Sequence, residues 1–265
     1  MNHAVRQASA CVKPLAPVFG PCKDKAVFQV FESGRGDKAM TVRRLAVFDM
    51  DGTLLDSLPD LAESCRELLA FYGLPALSDT VVRTMIGRGV AVLVSKALAA
   101  ATSLVGEGAP VIDETEAAAR FMTLYTPRLT RLSRLFPGAE AALHTLRDAG
   151  WTLAVCTNKP EAAAREILRA LEVAPLFAAV GGGDSFAVKK PDPAHLLGTI
   201  AWAHGQPARS VMVGDMPPDW LAAEGAGCPF LLAAWGYGQQ APEGQAWQAA
   251  CMADIPARLE AMLPV

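Results

Sequence analysis

Short apolar runs alternate with amphipathic stretches along most of this chain, from about residue 44 onward. Leu45–Phe48 is apolar at all four positions, which is typical of a strand buried on both faces of a sheet. Four later runs of the same kind predict further strands. They are Thr152–Cys156, Phe177–Val180, Val211–Val213 and Phe230–Ala234.

Helices are predicted between these strands, because apolar residues recur there at the three- and four-residue spacing of one helix face. The predicted helices are Ala139–Ala149, Pro160–Leu171, Pro193–Ala203 and Asp219–Ala226. Strands that alternate with helices in this way favour a parallel sheet with helices on both faces. The sequence therefore predicts a Rossmann-like α/β fold.

The stretch between the first and second predicted strands has helical spacing only. Ser57 is expected to cap a helix that Gly73 ends, and residues 78–134 show helix after helix with no convincing strand. We therefore predict a small all-helical cap of residues 58–134, inserted after the first strand. The α/β core would then comprise residues 40–57 and 135–265.

Residues 1–39 show neither the helical nor the strand period and are interrupted by prolines and glycines. They carry six cations and three acids, and they lack the apolar core of a secretory signal. We expect this segment to be a loose extension, or Met40 to be the true start.

Bulk composition excludes several classes of protein. Of the 265 residues, 52% are apolar and 19% are charged, which excludes a disordered chain. The net charge of −3 argues against a nucleic-acid partner, and no apolar run reaches the ~18 residues of a membrane span. The six cysteines are scattered without metal-site spacing, which predicts a reducing compartment and a cytoplasmic location.

Polar residues follow the predicted strands, at the edge of a parallel sheet where ligands bind. Asp49 and Asp51 come directly after the first strand, and Gly52 allows a tight turn beside them. Two carboxylates so close repel each other unless a cation joins them, and Mg²⁺ would also bridge to a phosphate. One carboxylate can then attack phosphorus while the other transfers protons. A solvated acidic turn is the alternative for a bare pair of aspartates.

The later strand ends add complementary groups. Thr157 and Asn158 offer a hydroxyl and an amide to a phosphoryl oxygen, or else they cap the following helix. The Lys190 ammonium can neutralise charge on a transferring group, whereas Lys189 is expected to face solvent.

Two acids close the series at the fourth strand. Asp215 and Asp219 are four residues apart and span a strand end and the first turn of the next helix. Both can therefore face one metal ion, directly or through water.

In this order, these residues resemble the four motifs of the haloacid dehalogenase superfamily, specifically its phosphatases. The resemblance covers about Leu45 to Gly238, and the first motif is met at every fixed position from Asp49 to Ser57. The second motif corresponds to Thr157 and Asn158, the third to Lys190, and the fourth to Gly214 and Asp215 through Asp219.

The resemblance implies a role for each matching residue. Asp49 would be the nucleophile that forms an aspartyl-phosphate, and Asp51 the general acid and base. Thr157 and Lys190 would hold the phosphoryl group, and Gly52, Thr53 and Asn158 would contact the substrate. Mg²⁺ would be bound by Asp49, the Asp51 carbonyl and Asp215, with Asp219 supporting the site.

Two features of the motifs bear on the chemistry. The founding dehalogenases lack the second acid of the first motif, so Asp51 favours phosphate chemistry over carbon–halogen cleavage. The fourth motif departs from the family pattern, because Met216 stands where serine is common and prolines 217 and 218 follow it. We expect the metal site to persist with an altered affinity.

Shorter stretches resemble phosphoglycolate phosphatases within the family. They are residues 86–93, 182–185, 189–193 and 236–238. Arg88 would then contact a substrate carboxylate, or else it is a surface arginine at a glycine-rich junction. The favoured partner is a small phosphorylated metabolite, with 2-phosphoglycolate as the best candidate, acted on by a monomer or homodimer.

Three alternatives to that substrate or activity stay open. Another small sugar phosphate is the first, and a β-phosphoglucomutase-like isomerase, which would keep the phosphoryl group, is the second. The third is a binding module without catalysis, which the intact Asp49, Asp51, Lys190 and Asp215 argue against.

Overall fold

Six parallel strands form the central sheet of this computed structural model, which describes residues 43–238 and 242–264. In chain order they are β1 (Leu45–Phe48), β4 (Thr152–Cys156), β5 (Ala179–Gly181), β6 (Ser210–Gly214), β7 (Phe230–Ala233) and β8 (Gln248–Ala249). The spatial order is β5-β4-β1-β6-β7-β8. The chain therefore crosses from one side of β1 to the other, and such a reversal is where open α/β sheets bind ligands.

The register of the central strands brings their ends to one level. Phe48, the last residue of β1, lies opposite Val155 of β4 and Val213 of β6. Asp49 therefore leaves the sheet beside the last residues of both neighbouring strands. Residues that follow these three strands are placed at one edge by the backbone alone.

Helices cover both faces of the sheet, because successive side chains of a strand point in opposite directions. Leu45 and Val47 pack on the face that carries α7 (Pro193–Trp202) and α8 (Pro217–Ala226). Ala46 and Phe48 belong to the core on the other face. That face carries α5 (Ala139–Asp148), α6 (Glu161–Ala170) and α9 (Ile255–Met262). The predicted fold class is confirmed.

Four helices lie between Asp56 and Arg134 in the chain and pack on one another. They are α1 (Leu58–Phe71), α2 (Asp79–Arg83), α3 (Val90–Val105) and α4 (Glu114–Tyr125), and we call them the inserted helices. A short antiparallel ribbon of β2 (Leu55–Asp56) and β3 (Arg134–Leu135) joins their two ends. A strand of two residues gives no periodic signal in the sequence. The expectation that residues 78–134 contain no strand is therefore wrong at Arg134, the first residue of β3. The division into core and cap stays a prediction.

Several predicted boundaries differ from the structure. The third strand begins at Ala179 instead of Phe177, since a single 3-10 turn at Ala174–Leu176 runs up to that residue. Helix α8 begins at Pro217 instead of Asp219, because proline fits the first turn of a helix. The predicted extension at residues 1–39, and Met40, lie outside the described residues.

Ser57 is the N-cap of α1, but its side chain makes no capping hydrogen bond. The N–H of Leu58 donates instead to the Tyr237 hydroxyl, and Pro59 has no N–H to offer. The expected cap is therefore supplied by a side chain 179 residues away.

The cysteines in the described part of the chain are unpaired, and three of the four are buried. Burial raises the pKa of Cys65 and Cys228 to about 12, which keeps these thiols protonated. They act as small apolar residues, as the sequence suggests. No helix among the described residues is long and apolar enough to cross a membrane.

Asp60, in the first turn of α1, is fully buried and ties the start of the inserted helices to their end. Its carboxylate accepts hydrogen bonds from the backbone N–H of Leu132 at 2.9 Å and of Ser133 at 2.7 Å. The Ser133 hydroxyl donates a further bond of 2.7 Å. The buried charge is therefore satisfied by the chain that returns to β3.

We predict that Asp60→Ala destabilises the protein by about 3 kcal/mol, because it leaves the buried donors of Ser133 and the partly buried N–H of Leu132 unpaired. Ser133→Ala, which removes only the hydroxyl, should cost about 1 kcal/mol. Urea unfolding of both variants measures the difference. Equal costs for the two variants would show that the carboxylate does not hold the ends together.

Candidate active site

Three buried carboxylates meet at the carboxyl edge of the sheet. Asp49 follows β1, Asp215 follows β6, and Asp219 lies in the first turn of α8. One oxygen from each lies within 4.8 Å of the others, and none of the three residues is more than 4% exposed. Burial, and then the charges of Asp219 and Asp49, raise the pKa of Asp215 to about 8. Burial likewise raises the pKa of Asp49 to about 6, despite the opposing effect of Lys190.

Lys190 supplies the counter-charge inside this cluster. Its Nζ donates to the Cys156 carbonyl at 2.5 Å and to Asp219 Oδ1 at 2.7 Å, and it lies 2.9 Å from Asp49 Oδ1. Burial alone would lower the pKa of Lys190, but Asp219 and Asp49 outweigh it and the net pKa is raised. The cluster thus contains three carboxylates and one ammonium group. Its excess of negative charge suits a divalent cation.

Asp215 is oriented by three donors. Its Oδ1 accepts from the Thr53 hydroxyl at 2.8 Å, and its Oδ2 accepts from the N–H groups of Tyr237 at 2.7 Å and Gly238 at 3.2 Å. Gly52 has φ +90°, and a Cβ there would lie 2.5 Å from Asp215 Oδ2. Gly52 thus permits the close approach. The Thr53 hydroxyl donates its hydrogen to this carboxylate, and a contact of Gly52 or Thr53 with a substrate stays a prediction.

Both oxygens of Asp219 are engaged within the protein. Oδ2 accepts from the N–H groups of Asp215 at 3.1 Å and Met216 at 2.9 Å, while Oδ1 takes the Lys190 bond. This residue therefore organises the turn around Asp215.

The side chain of Met216 lies against Gly87, in the segment between α2 and α3. A Cβ on Gly87 would lie 2.9 Å from Met216 Cε.

Asp51 has a lysine partner that the sequence analysis missed. Lys159 Nζ lies 3.1 Å from the Asp51 carboxylate and 2.9 Å from the Tyr125 hydroxyl at the end of α4. Lys159 is only 5% exposed. Lys159 directly follows Thr157 and Asn158, and this position in the sequence could have marked it as a site residue. The sequence does not show in which direction its side chain points.

Thr157 and Asn158 lie at this edge and line the cleft, and their contact with a phosphoryl oxygen stays a prediction. Thr157 is buried, and its hydroxyl accepts from the N–H of Lys159 at 3.3 Å. Helix α6 has Pro160 as its N-cap, so the alternative in which Thr157 and Asn158 cap it is wrong. Asn158 Nδ2 donates to the carbonyls of Lys190 at 2.9 Å and Gly87 at 3.0 Å.

A cleft lies between the cluster and the inserted helices. Asp49, Asp51 and residues 157–159 line its polar side, and Ile86, Val90 and Leu93 line its apolar side. Charged side chains on one side of the cleft and apolar side chains on the other suit a small ligand with one strongly polar end.

Arg88 is not brought to this cleft. Its side chain is exposed, and its carbonyl accepts from Lys189 Nζ at 3.2 Å. Lys189 is exposed, as expected. A contact between Arg88 and a substrate stays a prediction.

The family model of haloacid dehalogenase-like hydrolases matches residues 46–233. This chain belongs to that family. The match spans β1 through β7, so it includes all four strand-end groups described above.

Among curated relatives of this hydrolase are phosphoglycolate phosphatases from several bacteria. The Agrobacterium fabrum protein is 40% identical over 73% of this chain and 81% of its own length. The protein from Vibrio vulnificus strain YJ016 is 38% identical over 75% of this chain and 87% of its own length. The crystal structure of a predicted phosphoglycolate phosphatase from Haemophilus somnus 129pt is 35% identical, covers 82% of this chain and 98% of that one, and has a TM-score of 0.76.

These relatives confirm the predicted family and enzyme class: the hydrolase is a phosphatase that resembles phosphoglycolate phosphatases. Phosphatases of the family generally use a divalent metal, and Asp49, Asp215 and Asp219 form a buried cluster suited to one.

His195, at the start of α7, holds the Lys190 loop of this hydrolase. Its Nδ1 accepts from the N–H of Lys190 at 3.1 Å, and the ring is fully buried. Burial, and then the Lys190 charge, lower the pKa of His195 to about 4. The imidazole is therefore neutral in the folded protein and charges only on unfolding below about pH 6.5.

We predict that this histidine makes the protein less stable as the pH falls from about 6.5 toward 4, since the unfolded chain binds the extra proton there. Between pH 7.5 and 5 the loss should be about 2 kcal/mol greater in the wild type than in His195→Asn. Urea unfolding with a metal chelator measures both slopes, and the shared carboxylates cancel in the comparison. Identical slopes would contradict the buried neutral state.

Proposed function

We propose that this hydrolase is a Mg²⁺-dependent phosphomonoesterase that works through an aspartyl-phosphate on Asp49. The observation that carries this proposal is the placement of Asp49, which lines the cleft while Lys190 Nζ contacts it at 2.9 Å. A carboxylate paired with a buried cation beside further carboxylates suits attack on an anionic phosphoryl group.

The donor set fits Mg²⁺, which prefers oxygen ligands and an octahedral geometry. Asp49, Asp215 and the Asp51 carbonyl would hold the ion, and Asp219 would support it through its hydrogen bonds. When bound, the ion neutralises the negative charge of the phosphoryl oxygens and of the cluster. The raised pKa values of Asp49 and Asp215, which burial causes first and neighbouring carboxylates increase, support this, because a bound divalent cation would stabilise the ionised carboxylates.

The reaction then proceeds in two steps. Asp49 attacks phosphorus while Lys190 and Thr157 hold the phosphoryl oxygens, and Asp51 gives a proton to the departing ester oxygen. In the second step Asp51 removes a proton from a water molecule. That water attacks the aspartyl-phosphate, so phosphate leaves and Asp49 is restored.

We predict that the protein releases phosphate from small phosphomonoesters with Mg²⁺ and loses this activity with a chelator. Asp49→Asn should lower kcat by about a thousandfold or more, because the nucleophile is gone. Asp184→Asn is the matched control, since Asp184 follows β5 but is exposed and lies outside the carboxylate cluster. A phosphate-release assay measures all three proteins. Full activity in Asp49→Asn, or no Mg²⁺-dependent turnover of any ester, would contradict the proposed mechanism.

We propose 2-phosphoglycolate as the substrate. The relatives at 38–40% identity carry the name phosphoglycolate phosphatase, and the small cleft suits a substrate of this size. Other small sugar phosphates and a mutase activity remain the alternatives. A mutase would return a phosphorylated product without releasing phosphate.

We predict the highest kcat/KM for 2-phosphoglycolate within a panel of small sugar and metabolite phosphates. A sugar phosphate that exceeds it by more than about tenfold would refute the substrate assignment, and product without free phosphate would indicate a mutase.

Because Arg88 is exposed, Arg88→Ala should change kcat/KM for 2-phosphoglycolate and for 2-hydroxyethyl phosphate by less than about threefold. A selective loss with the carboxylated ester would instead show that Arg88 contacts the carboxylate.

The remaining sequence predictions belong to this proposal. They are a small phosphorylated metabolite as the partner, a cytoplasmic location, a monomer or homodimer, and a helical cap of residues 58–134 over the core.

A further inference from the structure

A line of buried polar contacts runs from the inserted helices to Asp51. Tyr125, the last residue of α4, is 1% exposed, and its hydroxyl accepts a 2.9 Å hydrogen bond from Lys159 Nζ. The same ammonium donates to Asp51 Oδ2 at 3.1 Å. Two partners from different parts of the chain therefore fix the position of the Lys159 ammonium.

Lys159 is the one partner of the Asp51 carboxylate in the described part of the chain. Its Nζ lies 3.1 Å from both oxygens and donates a hydrogen bond to Oδ2, and no other group donates to Oδ1. Lys159 alone therefore restrains the rotation of this carboxylate, which lines the cleft.

The pairing is also one that a buried lysine needs. Burial disfavours the ammonium of Lys159, but Asp51 and Tyr125 outweigh it and raise its pKa. Removing either partner leaves the charge less well compensated. The Tyr125 hydroxyl therefore contributes to holding the ammonium where it restrains Asp51.

We propose that Lys159 and Tyr125 are positioning residues for the general acid and base Asp51, and that Tyr125 makes this positioning depend on the inserted helices. This inference rests on the proposed phosphatase function. In the first step an Asp49 oxygen forms a bond to phosphorus while the P–O bond to the alcohol breaks. The electron pair of the broken bond stays on the ester oxygen, and that oxygen takes the proton from Asp51. In the second step Asp51 takes a proton from water as the new P–O bond forms and the bond to Asp49 breaks.

The experiment varies how much the leaving oxygen needs a proton. Ethyl, phenyl and p-nitrophenyl phosphate carry leaving oxygens of decreasing basicity, so the benefit of a well-placed acid falls along the series. The value of kcat/KM reports the step in which this oxygen departs. Wild type, Lys159→Met, Lys159→Arg and Tyr125→Phe are compared with Mg²⁺.

Lys159→Met should lower kcat/KM by about a hundredfold with ethyl phosphate and by less than about fivefold with p-nitrophenyl phosphate. Tyr125→Phe should show the same gradient on a smaller scale, about fivefold with ethyl phosphate, as expected for one lost hydrogen bond. Lys159→Arg should recover part of the loss. Tyr72→Phe is the matched control, because the Tyr72 hydroxyl is buried without a hydrogen-bond partner among the described residues. Its profile should be flat.

Equal losses across the three esters would overturn the inference, because a merely structural role does not depend on the leaving group. A Tyr125→Phe profile as flat as that of Tyr72→Phe would overturn the part assigned to the inserted helices. In both cases wild-type turnover leaves the proposed function standing. A wild type inactive on all three esters would refute the proposed function and the inference together.

Discussion

The buried ammonium of Lys190 is the interaction on which the site depends. It joins three elements, because it contacts the Cys156 carbonyl at the end of β4, Asp49 after β1 and Asp219 in α8. Carboxylates so close and so deeply buried would not stay ionised without a cation. His195 and Asn158 in turn hold the backbone of Lys190. The fold thus fixes one positive charge, and the carboxylates are arranged around it.

A second lysine gives the two acids of the first motif different surroundings. Asp49 faces Lys190 and two further carboxylates, so its charge is partly compensated and the proposed metal ion would complete the balance. Asp51, only two residues later, turns to Lys159, whose Nζ lies 3.1 Å from both oxygens of this carboxylate. Distinct surroundings for paired carboxylates are how active sites separate a nucleophile from an acid and base. The short turn at Gly52 allows this divergence within three residues.

The sequence was sufficient for five of the six described strands of the sheet and for the residues placed by strand ends, whereas the two residues of β8 give no periodic signal and were not predicted. Asp49, Thr157 and Asp215 follow parallel strands whose ends are level, so backbone geometry alone brings them together. Contacts that depend on side-chain direction were not predictable. The hydrogen bond between Tyr125 and Lys159 joins a helix end to a loop 34 residues later. Arg88 lies between two glycines with positive φ, and that turn leaves its side chain exposed.

The central claim is that Asp49 attacks phosphorus, and the phosphorylated enzyme itself tests it most directly. The protein would be mixed with 2-phosphoglycolate and Mg²⁺, quenched in acid within its first turnovers, digested and analysed by mass spectrometry. We expect the mass of one phosphoryl group on the peptide that contains Asp49, located on that side chain, and none in Asp49→Asn. Phosphate released by the wild type at full rate with no phosphoryl group trapped on Asp49, or one trapped on another residue, would contradict the account.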